Sequence, residues 1–115
     1  MSLSVKRGIP PAFGPVVLFE LGGIYVEVLQ ETSLRVAPIT RSEAKEMILE
    51  SKAAKLLCGV RGKRPLDIDA LTRSLLRLSQ FMMDFPEIEG IDINPIKVLE
   101  KDAVAVDARI QLKTP

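Results

Sequence analysis

The sequence predicts an α+β domain in which two helices pack on an antiparallel sheet. Several short segments alternate apolar and polar residues, which is typical of strands with one buried face. Two longer segments repeat apolar residues at every third or fourth position, which is typical of helices with one buried face. Because the strand segments pair as hairpins and each helix needs a surface to cover, we expect a layer of helices on a sheet.

Composition limits the classes of protein that the chain can represent. It has 115 residues, 47% hydrophobic and 27% charged, which favours one globular domain over a disordered chain. The net charge of +1 favours neither nucleic acid nor an anionic membrane as a partner. The absence of histidine excludes imidazole bases and nearly all histidine-based zinc sites. No apolar run is long enough to span a membrane, and the single cysteine, Cys58, fits a reducing cytoplasm and a buried packing position.

The first elements are a lead-in and a buried strand. We expect residues 1–7 to be a cloning remnant or a disordered lead-in, and residues 8–115 to form the domain. Pro10, Pro11 and Gly14 predict irregular structure over residues 4–14. The apolar run from Val16 to Phe19 then predicts a short buried strand.

A hairpin is predicted next, over residues 24–29 and 34–37. Matching the apolar faces of its strands sets Glu27 opposite Arg35, as either a structural pair or a site pair. Gly22 and Gly23 precede it; a glycine pair usually turns the chain, and in some loops it cradles a phosphate. Glu27, Arg35, Gly22 and Gly23 are therefore candidates for nucleotide binding.

The two predicted helices have recognisable starting points. Thr40 and Glu43 form a capping-box pattern, and the residues that follow place one side of the first helix on the core: Ala44, Met47, Ile48 and Ser51. Asp67 is the predicted N-cap of the second helix, which ends before Pro86 and has an apolar stripe of Ile68, Leu71, Leu75, Leu78 and Met82. Between the helices, a loop from Arg61 to Arg64 carries three cations, which suit a phosphate or simply face the solvent.

The last predicted element is a hairpin with an interruption. Ile91 and Ile93 are the apolar positions of its first strand, but after Pro95 the apolar positions change phase to Ile96 and Val98. One extra residue in a strand produces such a change, so the pattern predicts a β-bulge and a register shift of one near Asn94-Pro95. With the turn at residues 100–102, Val98 would oppose Val104 and Ile96 would oppose Val106.

Beyond the bulge, the same alignment places Asn94 opposite Asp107 and Asp92 opposite Arg109. Directly opposed side chains lie about 5 Å apart, close enough for two of them to hold one ion. An amide oxygen beside a carboxylate oxygen suits Mg²⁺, which takes few protein ligands and leaves the others to phosphate and water. We therefore interpret Asn94 and Asp107 as a metal–phosphate corner. The alternatives are an ordinary ion pair between Asp92 and Arg109, and an Asn-Pro step that only shapes the strand.

Six sequence blocks, taken in order, resemble one known family. The blocks are Phe13-Gly14-Pro15-Val16-Val17, Leu21 to Leu29, Arg35-Val36-Ala37-Pro38, Gly59-Val60-Arg61-Gly62, Asp92-Ile93-Asn94-Pro95 and Val106-Asp107-Ala108-Arg109. Together they resemble the C-terminal part of the ATP-grasp domain of ADP-forming acyl-CoA synthetases, the acetate–CoA ligase relatives of the succinyl-CoA synthetase β chain. The likeness runs from about Lys6 to Leu112.

The resemblance implies a role for each candidate residue. In that family, the positions of Asn94 and Asp107 hold the Mg²⁺ that bridges nucleotide phosphates, and relatives often carry Glu where Asp92 stands. Arg61, Asp92 and Arg109 become candidate catalytic residues, with Mg²⁺ and ATP or ADP as cofactors. The resemblance places the adenine-gripping residues in an N-terminal half, and the phosphorylated histidine in another domain or subunit that carries the CoA-binding region.

The implied function is part of an ADP-forming acid–CoA ligase located in the cytoplasm. The full enzyme would convert acyl-CoA, ADP and phosphate to the acid, CoA and ATP, and this chain alone would be inactive. One alternative is a regulatory ATP-grasp-like segment of a protein acetyltransferase fusion. The other is a non-catalytic binding or assembly module that keeps the fold without the site.

Overall fold

Helices and strands form separate layers in this protein. The computed structural model describes residues 1–7, 14–20, 32–51, 53–59 and 62–114. Its elements are β1 (Ser2–Arg7), β2 (Pro15–Glu20), β3 (Thr32–Val36), α1 (Arg41–Glu50), α2 (Ala53–Leu57), α3 (Ile68–Asp84), β4 (Ile88–Ile93), β5 (Ile96–Val98), β6 (Ala103–Ala105) and β7 (Ala108–Leu112). Five strands form an antiparallel sheet in the order β3-β2-β1-β4-β7, and β5 pairs with β6 in a separate ribbon. The predicted α+β class with an antiparallel sheet is confirmed.

Strand β1 lies in the middle of the five-stranded sheet. Leu3 and Val5 are fully buried, and the strand pairs with β2 on one side and β4 on the other. The predictions of a disordered lead-in and of irregular structure from residue 4 were therefore wrong for Ser2–Arg7. Two apolar residues make an alternation too short to predict a strand, whereas hydrogen bonding to two neighbours satisfies its backbone along both edges. Residues 8–13 lie outside the described part of the chain.

Arg7, the last residue of β1, ties the sheet to the end of α3. Its Nε donates to the Ile88 carbonyl at 3.0 Å, and its Nη2 donates to the carbonyls of Met82 at 3.0 Å and Phe85 at 3.1 Å. The last carbonyls of a helix lack intrahelical partners and carry partial negative charge, so a guanidinium is well suited to them. This contact fixes where α3 ends relative to β1 and β4.

Both predicted helix starts are confirmed. The Glu43 backbone N–H donates to the Thr40 hydroxyl and the Thr40 N–H donates to the Glu43 carboxylate, each at 3.1 Å, which completes the capping box. Asp67 accepts from the Ala70 N–H at 2.9 Å and caps α3, which ends at Asp84. The buried side chains of the two helices form the core with the sheet: Ala44, Met47 and Ile48 from α1, and Leu71, Leu75, Leu78 and Met82 from α3.

The segment between the two long helices differs from expectation. Ala53–Leu57 forms the short helix α2, where the sequence predicted only an apolar piece leading into a loop. Cys58 follows it and is exposed, so its predicted burial was wrong. Within the described ranges, none of the helices has both the length and the apolar character needed to cross a bilayer.

Within the described chain, the helices pack on one face of the sheet. Cross-strand pairing places Ser4, Asp92 and Arg109 in one row and Lys6, Gly90 and Gln111 in the next, across β1, β4 and β7. Successive residues of a strand point to opposite faces, so these rows stand opposite the face formed by buried Leu3, Val5 and Ile91. The open face therefore has a polar half, and the candidate site lies there.

Candidate functional site

The candidate site lies where the last hairpin passes from the main sheet into the small ribbon. Asp92 pairs with Arg109 and Ile93 with Ala108 in the main sheet, and pairing resumes in the ribbon at Ile96 with Ala105. The hairpin is antiparallel, as predicted. The pairing of Asp92 with Arg109 is also as predicted.

The predicted bulge at Asn94-Pro95 is absent from this described hairpin. Two residues separate the two ladders on each strand, so neither strand holds an extra residue. Ile96 therefore opposes Ala105 rather than Val106, and Val98 opposes Ala103 rather than Val104. The register shift lies instead between Ile88 and Gly90. The apolar phase changes because the chain leaves one sheet and enters another whose buried face is oriented by α3.

Asn94 and Asp107 occupy this passage and face each other. The Asn94 N–H donates to the Asp107 carbonyl at 3.1 Å, and the Val106 N–H donates to the Pro95 carbonyl at 2.9 Å, so the strands stay hydrogen-bonded between the ladders. The Asn94-Pro95 peptide bond is cis. One Asp107 carboxylate oxygen, Oδ1, accepts from the Ala108 N–H at 3.0 Å, which fixes the rotation of the carboxylate.

Four polar side chains surround one small cavity at this point. Its volume is about 160 Å³, and its lining consists of Asp92, Asn94, Asp107 and Arg109. The expectation that Asn94 and Asp107 share a face agrees with this lining. We call these four residues the polar corner.

The opposed charges of the polar corner, on Asp92 and Arg109, do not form an ion pair. Asp92 and Arg109 are directly opposed, both within the described chain, yet no N–O distance between them falls within the 4.0 Å limit of an ion pair. The ion pairs of the described residues lie elsewhere, joining Arg35 to Glu46 and Glu50 and Arg64 to Glu100. The alternative of a plain cross-strand ion pair is thus not supported.

The donor set of the polar corner fits Mg²⁺. It offers two carboxylates and one amide oxygen, the hard oxygen ligands that this ion takes, and the cavity has room for several waters at about 30 Å³ each. No group of three or more His, Cys, Asp or Glu residues that could hold a metal occurs among the residues with described positions. A metal ion held by so few protein ligands would take its other ligands from phosphate and water.

A second cavity, a groove along the sheet, adjoins the cavity of the polar corner. Its volume is about 300 Å³, and Asp92 and Arg109 line both spaces, while Lys6, Gly90 and Gln111 extend the groove. Gly90 lines the groove without a side chain, and a Cβ there would lie 3.2 Å from the Val5 carbonyl oxygen and 3.4 Å from Lys6 Cγ. Lys6 was not predicted as a site residue, since its strand was not predicted either.

The other predicted site residues divide into two groups. Arg35 lies on β3, away from the polar corner, and holds Glu50 through two hydrogen bonds of 2.9 and 2.8 Å. The hydrogen bond with Glu50 raises the pKa of Arg35, and the same contact lowers the pKa of the Glu50 carboxyl. Gly22, Gly23, Glu27 and Arg61 lie outside the described residues, as does the predicted pairing of Glu27 with Arg35.

Comparison with known proteins identifies the family. The model of the ATP-grasp domain matches residues 2–112. The chain belongs to the ATP-grasp family. The ATP-grasp chain is 51% identical over 102 residues to acetate–CoA ligase [ADP-forming] I of Archaeoglobus fulgidus. The aligned residues make up 89% of this chain and 15% of that protein. It is equally identical over 102 residues to the β subunit of acetate–CoA ligase [ADP-forming] I of Pyrococcus furiosus, covering 44% of that subunit.

Solved structures give the same family and fold. Acetyl-coenzyme A synthetase 1 of Ca. Korarchaeum cryptofilum, in complex with coenzyme A and Mg-AMPPCP, superposes with a TM-score of 0.88 at 42% identity. The superposition covers 97% of this chain and 52% of that one. The ATP-grasp chain thus spans about half of the structural relatives and less than half of these two curated relatives.

Proposed function

We propose that this chain supplies the Mg²⁺- and phosphate-binding part of the nucleotide site in an ADP-forming acid–CoA ligase. The full protein would interconvert acyl-CoA, ADP and phosphate with the free acid, CoA and ATP. The observation that carries the proposal is the meeting of Asn94 and Asp107 at one cavity, in a chain whose family binds nucleotides. The proposal includes a cytoplasmic location, where these substrates occur.

Each side chain of the polar corner has a distinct task in the proposal. Asn94 and Asp107 hold the metal, with Asp107 preset by its bond to the Ala108 N–H. Bound Mg²⁺ would neutralise phosphate oxygens and the charge that develops during transfer. Arg109 donates to a phosphate oxygen, and its guanidinium is available because Asp92 does not hold it. An ionised Asp92 carboxylate can only accept hydrogen bonds. It therefore orients the group that receives the phosphoryl group, by accepting a hydrogen bond from it.

The relatives support the assignment of the remaining parts to other regions of the protein. The Korarchaeum structure is described with coenzyme A, Mg-AMPPCP and a phosphohistidine segment that points towards the nucleotide-binding site. The 115 residues here contain no histidine, so a phosphohistidine has to come from another domain or subunit. We propose that the same partner region carries the CoA-binding site.

The proposal is tested by binding measurements on the full-length protein with Asp107→Asn and Asn94→Ala. The amide of Asp107→Asn would keep an oxygen for the Ala108 N–H while removing the charge, so this variant separates metal binding from folding. We expect each substitution to weaken Mg²⁺-dependent ADP binding by about tenfold or more in calorimetric titration, with an unfolding temperature close to that of the unaltered protein. Lys97→Met, an exposed change on β5, is the matched control and should bind normally. Normal Mg²⁺ dependence in both corner variants would refute the proposal.

A further inference from the structure

Asp67 connects the start of α3 to the far end of the hairpin that carries the polar corner. Its Oδ1 accepts from the Ala70 N–H at 2.9 Å, as a helix cap does, while its Oδ2 accepts from the Asp102 N–H at 2.7 Å. The Asp67 N–H also donates to the Leu99 carbonyl at 2.7 Å. A helix cap needs only one of these three bonds, so the other two serve the turn at residues 99–102.

The turn at residues 99–102 joins the two strands of a small ribbon whose orientation depends on its contacts with the rest of the fold. We call residues 95–106 the outer ribbon; it consists of β5, β6 and the turn that joins them. A two-stranded ribbon is at best marginally stable by itself, so its direction depends on what it contacts. Near the base, the Ile96 N–H donates to the Met1 carbonyl at 2.7 Å, and along its length Ile96 and Val98 are buried in the core. At the tip, Asp67 makes the two bonds described above.

The polar corner lies at the junction between the outer ribbon and the main sheet. Asn94 immediately precedes the ribbon and Asp107 immediately follows it, and between the two ladders the strands are joined by the bonds from the Asn94 N–H to the Asp107 carbonyl and from the Val106 N–H to the Pro95 carbonyl. A swing of the ribbon about this junction would change the separation of the two proposed metal ligands. Catalytic geometry is sensitive to displacements of this kind, since an error of about 1 Å can cost a hundredfold in rate.

We propose that Asp67 is a positioning residue for the polar corner: by holding the tip of the outer ribbon on α3, it sets the separation of Asn94 and Asp107 and so the affinity for a divalent cation. This inference rests on the proposed function of Asn94 and Asp107. The turn geometry supports it, because Asp102 has φ of +83°, a left-handed conformation that aims its N–H at Asp67. The Asp102 carbonyl in turn accepts from the Leu99 N–H at 2.9 Å, closing the turn.

The discriminating variant is Asp67→Asn in the full-length protein. Asparagine is an N-cap as good as aspartate, but its NH₂ group would face the Asp102 N–H donor, so the cap survives and the side-chain bond to the ribbon is lost. The backbone bond from the Asp67 N–H to the Leu99 carbonyl remains in this variant. We expect calorimetric titration with Mg²⁺ in saturating ADP to give a dissociation constant raised about three- to tenfold. Asp67→Ser, which caps with a single oxygen, provides the same test if the amide variant does not fold.

Two controls separate positioning from simple loss of stability. Asp69→Asn removes a charge from the same helical turn and leaves the bonds to the ribbon in place. Asp102→Gly keeps the backbone N–H that donates to Asp67, and glycine readily adopts the positive φ found at this position. Both should bind Mg²⁺ normally. Normal Mg²⁺ affinity in Asp67→Asn and Asp67→Ser, alongside a loss in Asp107→Asn, would overturn the inference and leave the proposed function standing. Normal affinity in both Asp107→Asn and Asn94→Ala would overturn the inference together with the proposed function.

Discussion

Asp92 and Arg109 stand directly opposite each other on β4 and β7, and both line the same cavity without forming an ion pair within 4.0 Å. Opposed charges on a sheet often stabilise the strand pairing, by about 0.2–1 kcal/mol. Here the two side chains line the same cavity and do not bond to each other directly. Their separation is what makes both of them available to a ligand.

The first prediction concerns this pair. Asp92→Asn and Arg109→Gln should each change the free energy of unfolding by less than about 0.5 kcal/mol, because no direct bond is lost. Each should lower the turnover of the full-length protein. A double-mutant cycle on stability should therefore give almost no coupling between the two positions. Coupling of more than about 1 kcal/mol would restore the interpretation of a structural ion pair.

The second prediction concerns Arg7. Arg7→Ala removes three hydrogen bonds from a charged group to the carbonyls of Met82, Phe85 and Ile88, and should destabilise the fold by about 2–3 kcal/mol. Urea denaturation followed by circular dichroism would measure the loss. Lys6→Ala is the matched control, being the neighbouring exposed cation on the opposite face, and should have little effect on stability. Equal stability of the two variants would contradict the role given to Arg7.

The third prediction is a pH dependence set by Asp67. The bond from the Asp102 N–H, and next the bond from the Ala70 N–H, lower the pKa of this carboxyl from its ordinary value of 3.8. A depressed pKa means that the folded state binds fewer protons than the unfolded state, so the stabilisation is complete above pH 3.8 and is lost as the pH falls through the folded-state pKa.

Denaturation midpoints of the unaltered protein and of Asp67→Asn, recorded between neutral and acidic pH, provide the measurement. The gap between them should be constant near neutrality and shrink on acidification below 3.8. A gap that is independent of pH would show that the Asp67 carboxylate charge has no part in the link.

The fourth prediction concerns the chain of 115 residues by itself. It should neither hydrolyse ATP nor form acyl-CoA, because it has no histidine to phosphorylate and because one wall of a cleft does not enclose a nucleotide. Incubation with ATP, CoA, acetate and Mg²⁺, followed by chromatography for acetyl-CoA, is the measurement. Acetyl-CoA formation by the purified chain would contradict this prediction.

Local signals in the sequence predicted the two long helices well, because the determinants of each of them lie within a few residues; the short helix α2 was not predicted. Thr40 with Glu43, and Asp67 with the stripe behind it, specify start and buried face without reference to the remainder of the fold. The opposition of Asp92 and Arg109 was predicted correctly because two errors cancelled: the assumed bulge at Asn94-Pro95 offset a ribbon register that was one residue away from the true one.

The features that were not predictable depend on distant contacts. Ser2–Arg7 became a central strand only because β2 and β4 flank it, and its own pattern is too short to indicate this. The phase change at Pro95 was predicted as a bulge because a single sequence cannot distinguish an extra residue from a chain that moves to another sheet. The register in the ribbon was consequently predicted one residue away from its true position.

Gly90 limits how this sheet can be altered by mutation or by engineering. A Cβ at this position would lie 3.2 Å from the Val5 carbonyl oxygen, which is closer than ordinary van der Waals contact. This oxygen belongs to the backbone and not to a flexible side chain. Alanine at this position would require the paired strands β1 and β4 to shift by a few tenths of an ångström. A side chain at position 90 would therefore act on two things at once, the space inside the groove and the spacing of the strands that carry Lys6 and Asp92.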